Sequence, residues 1–280
     1  MKKKSIRTVL ITGNHLRHFE FLDIVKNNPC INIIGYIVFK RENFIPKPPK
    51  NINNNLKEIW LKHFDLRNKF EKKFFKKKFK TELPVMNVKN INELNSKKTV
   101  KFVKSLKVNL AIIFGSEIIK NPLFSALPKY KVNFHLGLIP YFKGSITMIW
   151  PFLLLQPTMA GCTYHLIDKK VDTGEILHQV SPVLTKGSGM HETIYKTCIK
   201  AFKDFKYVAN ELKRRIDNNI KINHDQNLKT SGKIFKKTDF QPEHLAIIYK
   251  YYKDKIVDLY LEKKNKFTKT KINKNKINDF

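Results

Sequence analysis

Cysteine is scarce in this chain of 280 residues: Cys30, Cys162 and Cys198 are odd in number, widely spaced and form no C-x-x-C pair. That excludes a disulfide framework and a zinc ribbon, and it fits buried thiols in a reducing compartment. Long hydrophobic runs are lacking too. The longest, around Ala111–Phe114 and Trp150–Leu155, fall far short of the roughly 18 apolar residues of a membrane span. The N-terminus passes from Met1-Lys2-Lys3-Lys4 straight into Val9-Leu10-Ile11. A secretory signal needs a longer apolar region and a small-residue cleavage site, so the expected location is the cytoplasm. Acidic residues are few, 23 Asp+Glu against 55 Lys+Arg, for a formal charge of +32. One reading is an anionic partner such as nucleic acid, a membrane surface or a phosphorylated substrate. The preferred reading is compositional. Lys, Asn and Ile are abundant together, as an A/T-rich genome imposes, and nearly all the positive charge is Lys. Arg is the residue favoured for bidentate phosphate or base recognition.

What is present is enough apolar material, 42% of residues, for one core of about 150–200 residues plus an appendage. Thr8–Thr12 reads as a strand ended by Gly13-Asn14, Leu16–Lys26 as an amphipathic helix and Ile33–Phe39 as a second buried strand. This β-α-β opening is the unit of a parallel sheet. Pro46, Pro48, Pro49 and Asn51–Asn55 mark a loop. A basic helix with Phe64, Leu66, Phe70, Phe74 and Phe75 follows, then a helix capped by Asn95-Ser96, then an apolar strand Val108–Phe114. Met190–Leu212 carries apolar residues at spacings of three and four, a long amphipathic helix, and a further helix is expected over Pro242–Glu262. The expected fold class is α/β, a Rossmann-like, mostly parallel sheet with flanking helices and a small C-terminal appendage. The expected divisions are a catalytic domain over 1–215, a small subdomain over 216–262 and a basic tail over 263–280.

The chemistry gathers between Val132 and Leu177. Asn133 and His135 alternate on one strand, so an amide and an imidazole face one spot. Asp172 precedes the turn Thr173-Gly174, which predicts its carboxylate on a loop at the same edge of the sheet. An amide, an imidazole and a carboxylate without a nucleophile point to direct acyl transfer. The amide donates to the acyl oxygen as charge develops there. The imidazole moves protons or stabilises the oxyanion as its cation, and the carboxylate orients it and raises its pKa. His165 is expected to buttress Asn133 or His135, or to be a satisfied core histidine. His178 and His191 read as surface or structural residues, and Lys143-Gly144-Ser145 as a turn. The Phe/Lys mixture of Lys69–Lys80 reads as an amphipathic helix with a solvated basic face; stacking on single-stranded nucleic acid is the competing reading.

Asn133-Phe134-His135-Leu136-Gly137-Leu138-Ile139-Pro140-Tyr141-Phe142-Lys143-Gly144-Ser145, followed by Gly161-Cys162-Thr163-Tyr164-His165 and Asp168-Lys169-Lys170-Val171-Asp172-Thr173-Gly174, resembles the folate-dependent formyltransferases. The resemblance implies a Rossmann-like core, 10-formyltetrahydrofolate as formyl donor, no metal, and Asn133, His135 and Asp172 as catalytic residues. It also implies that backbone groups of two loops hold the pteridine: Phe114, Gly115, Glu117 and Ile118 after one strand, and Asp168, Lys169 and Val171 before the aspartate. The glycinamide ribonucleotide branch of that family has a Gly- and Ser-rich phosphate loop after its first strand. Here Thr12-Gly13-Asn14-His15 stands in that place, and Leu136-Gly137 replaces the Pro-Ser that usually follows its catalytic histidine. The methionyl-tRNA branch adds a C-terminal β-barrel of about 100 residues, for which this chain has too few. The branch that formylates nucleotide-linked amino sugars for surface polysaccharides, including lipopolysaccharide, is the one most resembled. The small-molecule acceptor implied is therefore an amino-sugar nucleotide, its phosphates met by Arg17 or nearby lysines. A homodimer through the amphipathic C-terminal helix is the further partner expected, and nucleic acid is not. The alternatives are a formyltransferase acting on another amine, glycinamide ribonucleotide or methionyl-tRNA, and, from another class, a basic nucleic-acid-binding α/β protein.

Overall fold

The structure, a computed structural model, describes residues 5–41, 45–223 and 232–263. The chain runs β1 (Ile6–Gly13), α1 (Leu16–Lys26), β2 (Ile31–Phe39), α2 (Asn54–Phe74), β3 (Val85–Val88), α3 (Ile91–Leu94), α4 (Lys97–Leu106) and β4 (Leu110–Phe114). It continues with α5 (Leu123–Ala126), β5 (Tyr130–His135), β6 (Phe142–Gly144), α6 (Trp150–Leu153), β7 (Cys162–Leu166), β8 (Ile176–Val180) and α7 (Met190–Asp217). Beyond α7 lie β9 (Lys233–Phe235), α8 (Pro242–Ala246) and α9 (Ile256–Lys263). Seven strands form one sheet in the order β3-β2-β1-β4-β5-β7-β8. β1 to β5 are parallel, β7 runs antiparallel to β5, and β8 antiparallel to β7. The fold is thus the mostly parallel α/β sheet with flanking helices expected from the alternating runs.

Alternate strand residues face opposite sides, and the two sides differ. One buries Leu10, Ile112, Val132, Phe134 and Tyr164 against Phe21, Phe64, Phe202 and Phe205 of α1, α2 and α7. The other buries Val9, Ile11, Ala111 and Ile113 against Leu94, Val103, Leu106 and Leu123 of α3, α4 and α5. This second apolar layer stops at β5. The residue paired with Ile113 is Asn133, and the face continues through His135, Thr163 and His165.

Three elements differ from the sequence expectation. α2, capped by Asn53 accepting from Leu56 N, ends at Phe74, so 75–80 is not helical. Phe64 and Phe75 are buried, with Phe70 and Phe74 packed beside them. These rings face inward, which removes the aromatic row a nucleic-acid platform needs. The helix expected over Pro242–Glu262 is interrupted: α8 gives way to a π turn over Ile247–Tyr251, and Lys253 and Asp254 adopt φ of 49° and 58° before α9. A left-handed residue ends a right-handed helical path. Lys143-Gly144-Ser145 is not a free turn, since Phe142–Gly144 pairs in parallel with β9.

The segment after α7 shares the main core. Phe235, Phe240, Leu245, Ile248, Ile256 and Val257 join the cluster that holds α2 and α7. The expected basic tail lies, from residue 264 on, outside the described residues. No described helix is long and apolar enough to cross a membrane. Cys162 and Cys198 are buried, and all three cysteines are free thiols.

Candidate active site

The polar patch on the sheet follows from strand pairing. In the β5–β7 ladder Asn133 lies opposite His165, and His135 opposite Thr163. Directly paired residues share a face, so four polar side chains stand where the neighbouring strands bury aliphatic ones. Asp172 arrives differently from the expectation. Because β7 is antiparallel, its end at Leu166 lies beside Val132, with Ile167 N donating to the Lys131 carbonyl (2.8 Å). The loop carrying Asp172 therefore leaves from the start of β5 rather than from the His135 end. It folds back to lay the carboxylate over the polar face, with Asp172 at φ 50°, a conformation Asp tolerates.

The result is a continuous chain of polar contacts. Asn133 Nδ2 donates to His165 Nε2 (3.2 Å). His165 Nε2 lies 3.4 Å from Asp172 Oδ1, and His135 Nδ1 lies 3.5 Å from Asp172 Oδ2. Both imidazoles are anchored on their far side. His135 Nε2 donates to the Phe142 carbonyl (2.8 Å) and His165 Nδ1 to the Leu166 carbonyl (2.8 Å). A carbonyl accepts only, so the ring nitrogen that meets it carries a proton, and the other nitrogen of each ring faces Asp172. Asp172 Oδ2 also accepts from Gly144 N (2.7 Å).

Electrostatics assigns the charge states. Burial works to raise the Asp172 carboxyl, but His135, His165 and the Gly144 N–H outweigh it and hold the acid well below the usual carboxylate range. Burial pushes His135 below its ordinary 6.5; the Asp172 charge and the Phe142 carbonyl pull upward, and His165 opposes them. Asp172 does act in the direction expected from sequence, yet it does not raise the imidazole overall. The cationic His135 of the sequence reading is corrected: 6% exposed, this ring is neutral at neutral pH because its cation would lose too much hydration.

The structure thus brings Asn133, His135 and Asp172 together and adds His165 as the link between amide and carboxylate. Of the residues expected at the donor site, Phe114 buries its ring between His18, Phe21 and Phe134, which leaves its backbone alone for a ligand. Gly115, Glu117 and Ile118 lie in irregular chain after β4. The Ile118 side chain is exposed, and the Glu117 carboxylate pairs with Lys237 (2.8 Å) and Arg41 (3.6 Å). Asp168 accepts from Lys169 N (2.6 Å), Lys169 is exposed and Val171 is half-buried. Arg17, expected to meet phosphate, is buried and paired with Glu71 (3.0 Å). His178 and His191 are buried, not surface, residues; His178 lies 3.3 Å from Asp204, and His191 lies 3.3 Å from His63. Sequence reasoning missed two groups entirely, the Phe142 carbonyl and the Gly144 amide. Both are main-chain, and only the glycine leaves a mark in the sequence. Among the described residues, no group of three or more His, Cys, Asp and Glu is arranged as a metal site.

A profile of the formyl transferase family matches residues 65–202, the span that contains Asn133, His135, His165 and Asp172. Solved structures share the fold. A phosphoribosylglycinamide formyltransferase from Anaplasma phagocytophilum is 16% identical, with a TM-score of 0.54, covering 84% of this chain and 100% of that one. Glycinamide ribonucleotide transformylase 1 from Symbiobacterium toebii is 14% identical, with a TM-score of 0.52, covering 75% and 88%. A sugar N-formyltransferase from Shewanella sp FDAARGOS_354 is 16% identical, with a TM-score of 0.51, covering 84% and 78%. At such identities the likeness is one of fold. No curated protein sequence matches the chain.

Proposed function

Because the chain belongs to the folate-dependent formyltransferases, we propose that it transfers the formyl group of 10-formyltetrahydrofolate to the amine of a nucleotide-linked amino sugar. The observation that carries the reading is the Asp172 carboxylate lying 3.5 Å from His135 Nδ1 and 3.4 Å from His165 Nε2, with the Asn133 amide at the end of the same chain.

That arrangement supports a division of labour. Asn133 spends one amide N–H on His165 and retains the second for the formyl oxygen as negative charge builds there. The amine nitrogen bonds to the formyl carbon and gives up a proton. Asp172 accepts it, with the imidazoles of His135 and His165 beside it, and the same relay returns a proton to the nitrogen that leaves the donor. One C–N bond forms, one breaks, and the proton count is unchanged. His135 takes part as a neutral acceptor. For the donor, Gly115–Ile118 and Asp168–Val171 are irregular chain after β4 and before Asp172, backbone free of helix and strand pairing of the type a pteridine's donor-and-acceptor edge calls for.

For the acceptor, the turn after β1 weighs against a phosphate cradle. A Cβ at Gly13 would stand 2.5 Å from the His18 ring and 2.8 Å from the Gly115 carbonyl. His15 stacks on His18 with centroids 5.5 Å apart. Imidazoles crowd this turn, where the resemblance to the glycinamide ribonucleotide branch would place a phosphate loop, and Arg17 is committed to Glu71. Isothermal titration with 5-formyltetrahydrofolate, followed by a mass-spectrometric screen of amino-sugar nucleotides, tests both halves. Saturable one-to-one binding and formyl gain on a sugar nucleotide are the expected results. No binding by folded protein would overturn the donor, and preferential formylation of glycinamide ribonucleotide would overturn the acceptor.

A further inference from the structure

β6 is a strand with two different neighbours. Backbone groups of successive residues point to opposite edges of a strand. On one edge β6 pairs with β9, with Phe142 opposite Lys233, Lys143 opposite Ile234 and Gly144 opposite Phe235, and Ser145 N donates to the Phe235 carbonyl (2.8 Å). On the other edge no strand follows among the described residues. Instead the Phe142 carbonyl accepts from His135 Nε2 and the Gly144 N–H donates to Asp172 Oδ2. Two side chains of the active site thus stand where a third strand would pair.

β9 is held closely against β6. Gly144 adopts φ 91°, and a Cβ there would lie 2.3 Å from the Phe235 carbonyl. A Cβ at Gly232 would lie 1.5 Å from the Pro140 carbonyl. The Phe235 ring stacks on Phe142 (centroids 5.8 Å, planes 8° apart) and on Trp150 (4.6 Å, 21°). These contacts leave β6 little freedom to slide, and His135 and Asp172 take their orientation from it.

We infer that the C-terminal strand Lys233–Phe235, together with Gly232, is a positioning clamp for formyl transfer: it fixes β6, and through β6 the tautomer of His135 and the seat of Asp172. Its residues touch no reacting atom. The inference rests on the formyltransferase reading for its effect on rate, and on geometry alone for its effect on the histidine. A loosened β6 costs turnover because a displacement of about 1 Å at reacting groups lowers rates about a hundredfold, while donor binding through the two loops stays.

The test uses the full chain with ¹⁵N-labelled histidine, the His135 signals being assigned by their loss in His135→Gln. In the parent protein, ¹⁵N shifts should show a neutral ring protonated at Nε2. Phe235→Ala should give mixed tautomers, fast amide exchange at Gly144, unchanged 5-formyltetrahydrofolate affinity and a turnover loss of about a hundredfold. Phe235→Leu supplies a milder disturbance should the alanine variant not fold. Phe240→Leu, on the same segment but packed on Trp60, His63 and Trp150 rather than on β6, should lower thermal stability and leave the tautomer alone. A single Nε2–H tautomer retained while Gly144 exchanges fast would overturn the clamp, as would an equal tautomer change in Phe240→Leu. Failure of the parent protein to bind 5-formyltetrahydrofolate would sink the formyltransferase reading, with the tautomer comparison still judging the clamp.

Discussion

At the scale of single residues, the charge on Asp172 organises the site. Its carboxylate receives the Gly144 amide and faces two imidazoles whose N–H groups are committed to carbonyls. Asp172→Asn keeps an oxygen for the Gly144 amide and removes the charge and the proton-accepting power. We expect near-parental melting with a turnover loss of about a hundredfold or more, the scale of losing one well-placed electrostatic group. The His135 shift makes a second claim, about pH. A histidine lowered below 6.5 stays neutral through neutral pH and gains its proton only in more acid solution. Turnover is therefore expected to be level on descending to pH 6.5 and to fall below it. A rate that climbs as pH drops through 6.5 would show the cation to be the active form. Asn133, His135 and Asp172 were legible in the sequence because their spacing along the chain carries a pattern. The neutral state of His135 was not, since burial by distant segments decides it.

At the scale of elements, the start of α7 carries an unusual acid. Asp254, on the turn before α9, accepts from Met190 N (2.8 Å) at the first residue of α7. Burial raises its pKa from 3.8 to about 6, against the pull of that hydrogen bond and of Lys62. The folded value lies above the unfolded one, so this group's stabilising contribution is complete below 3.8 and is lost as pH rises through about 6. Asp254→Asn keeps an acceptor for Met190 and never ionises. It should melt higher than the parent at pH 7, by about 2–4 °C for each kcal/mol recovered. In differential scanning calorimetry the two proteins should converge in acid, and a lower melting point at pH 7 would contradict the account. Amphipathic spacing located α1 and α7 in advance because each buries one face against the sheet. The same rule overran at Pro242–Glu262, where the chain breaks to bring Asp254 to α7.

Across the whole molecule, buried histidines set the acid limit of stability. Burial, with nearby positive charge, holds His18 and His63 well below 6.5, and burial with Arg67 lowers His191 to about 3. Each takes up a proton more readily when unfolded, so unfolding gains protons as pH falls below 6.5. In Asp254→Asn, which lacks the opposing titration of Asp254, urea midpoints should be level from neutral pH to about 6.5 and decline progressively below it, where the unfolded His18, His63 and His191 bind protons first. A midpoint unchanged between pH 7 and pH 5 would show that these rings are not buried neutral. His63 and His191 join α2 to α7, which ties the acid limit to the packing of the helical layer.

The sequence by itself determined the parallel α/β sheet, because apolar runs and amphipathic spacings are local and each strand or helix must hide its own apolar face. It also determined which amide, imidazole and carboxylate would meet, because Asn133 and His135 share a strand face by alternation and the turn at Thr173-Gly174 marks the loop of Asp172. Only the tertiary structure decided how they meet. The antiparallel β7 placed His165 between Asn133 and Asp172, burial removed the proton from His135, and the pairing of β6 with β9 supplied the Phe142 carbonyl and Gly144 amide that anchor the pair. These depend on main-chain groups and desolvation contributed by residues far apart in the chain, and neither leaves a side-chain signature in a linear sequence.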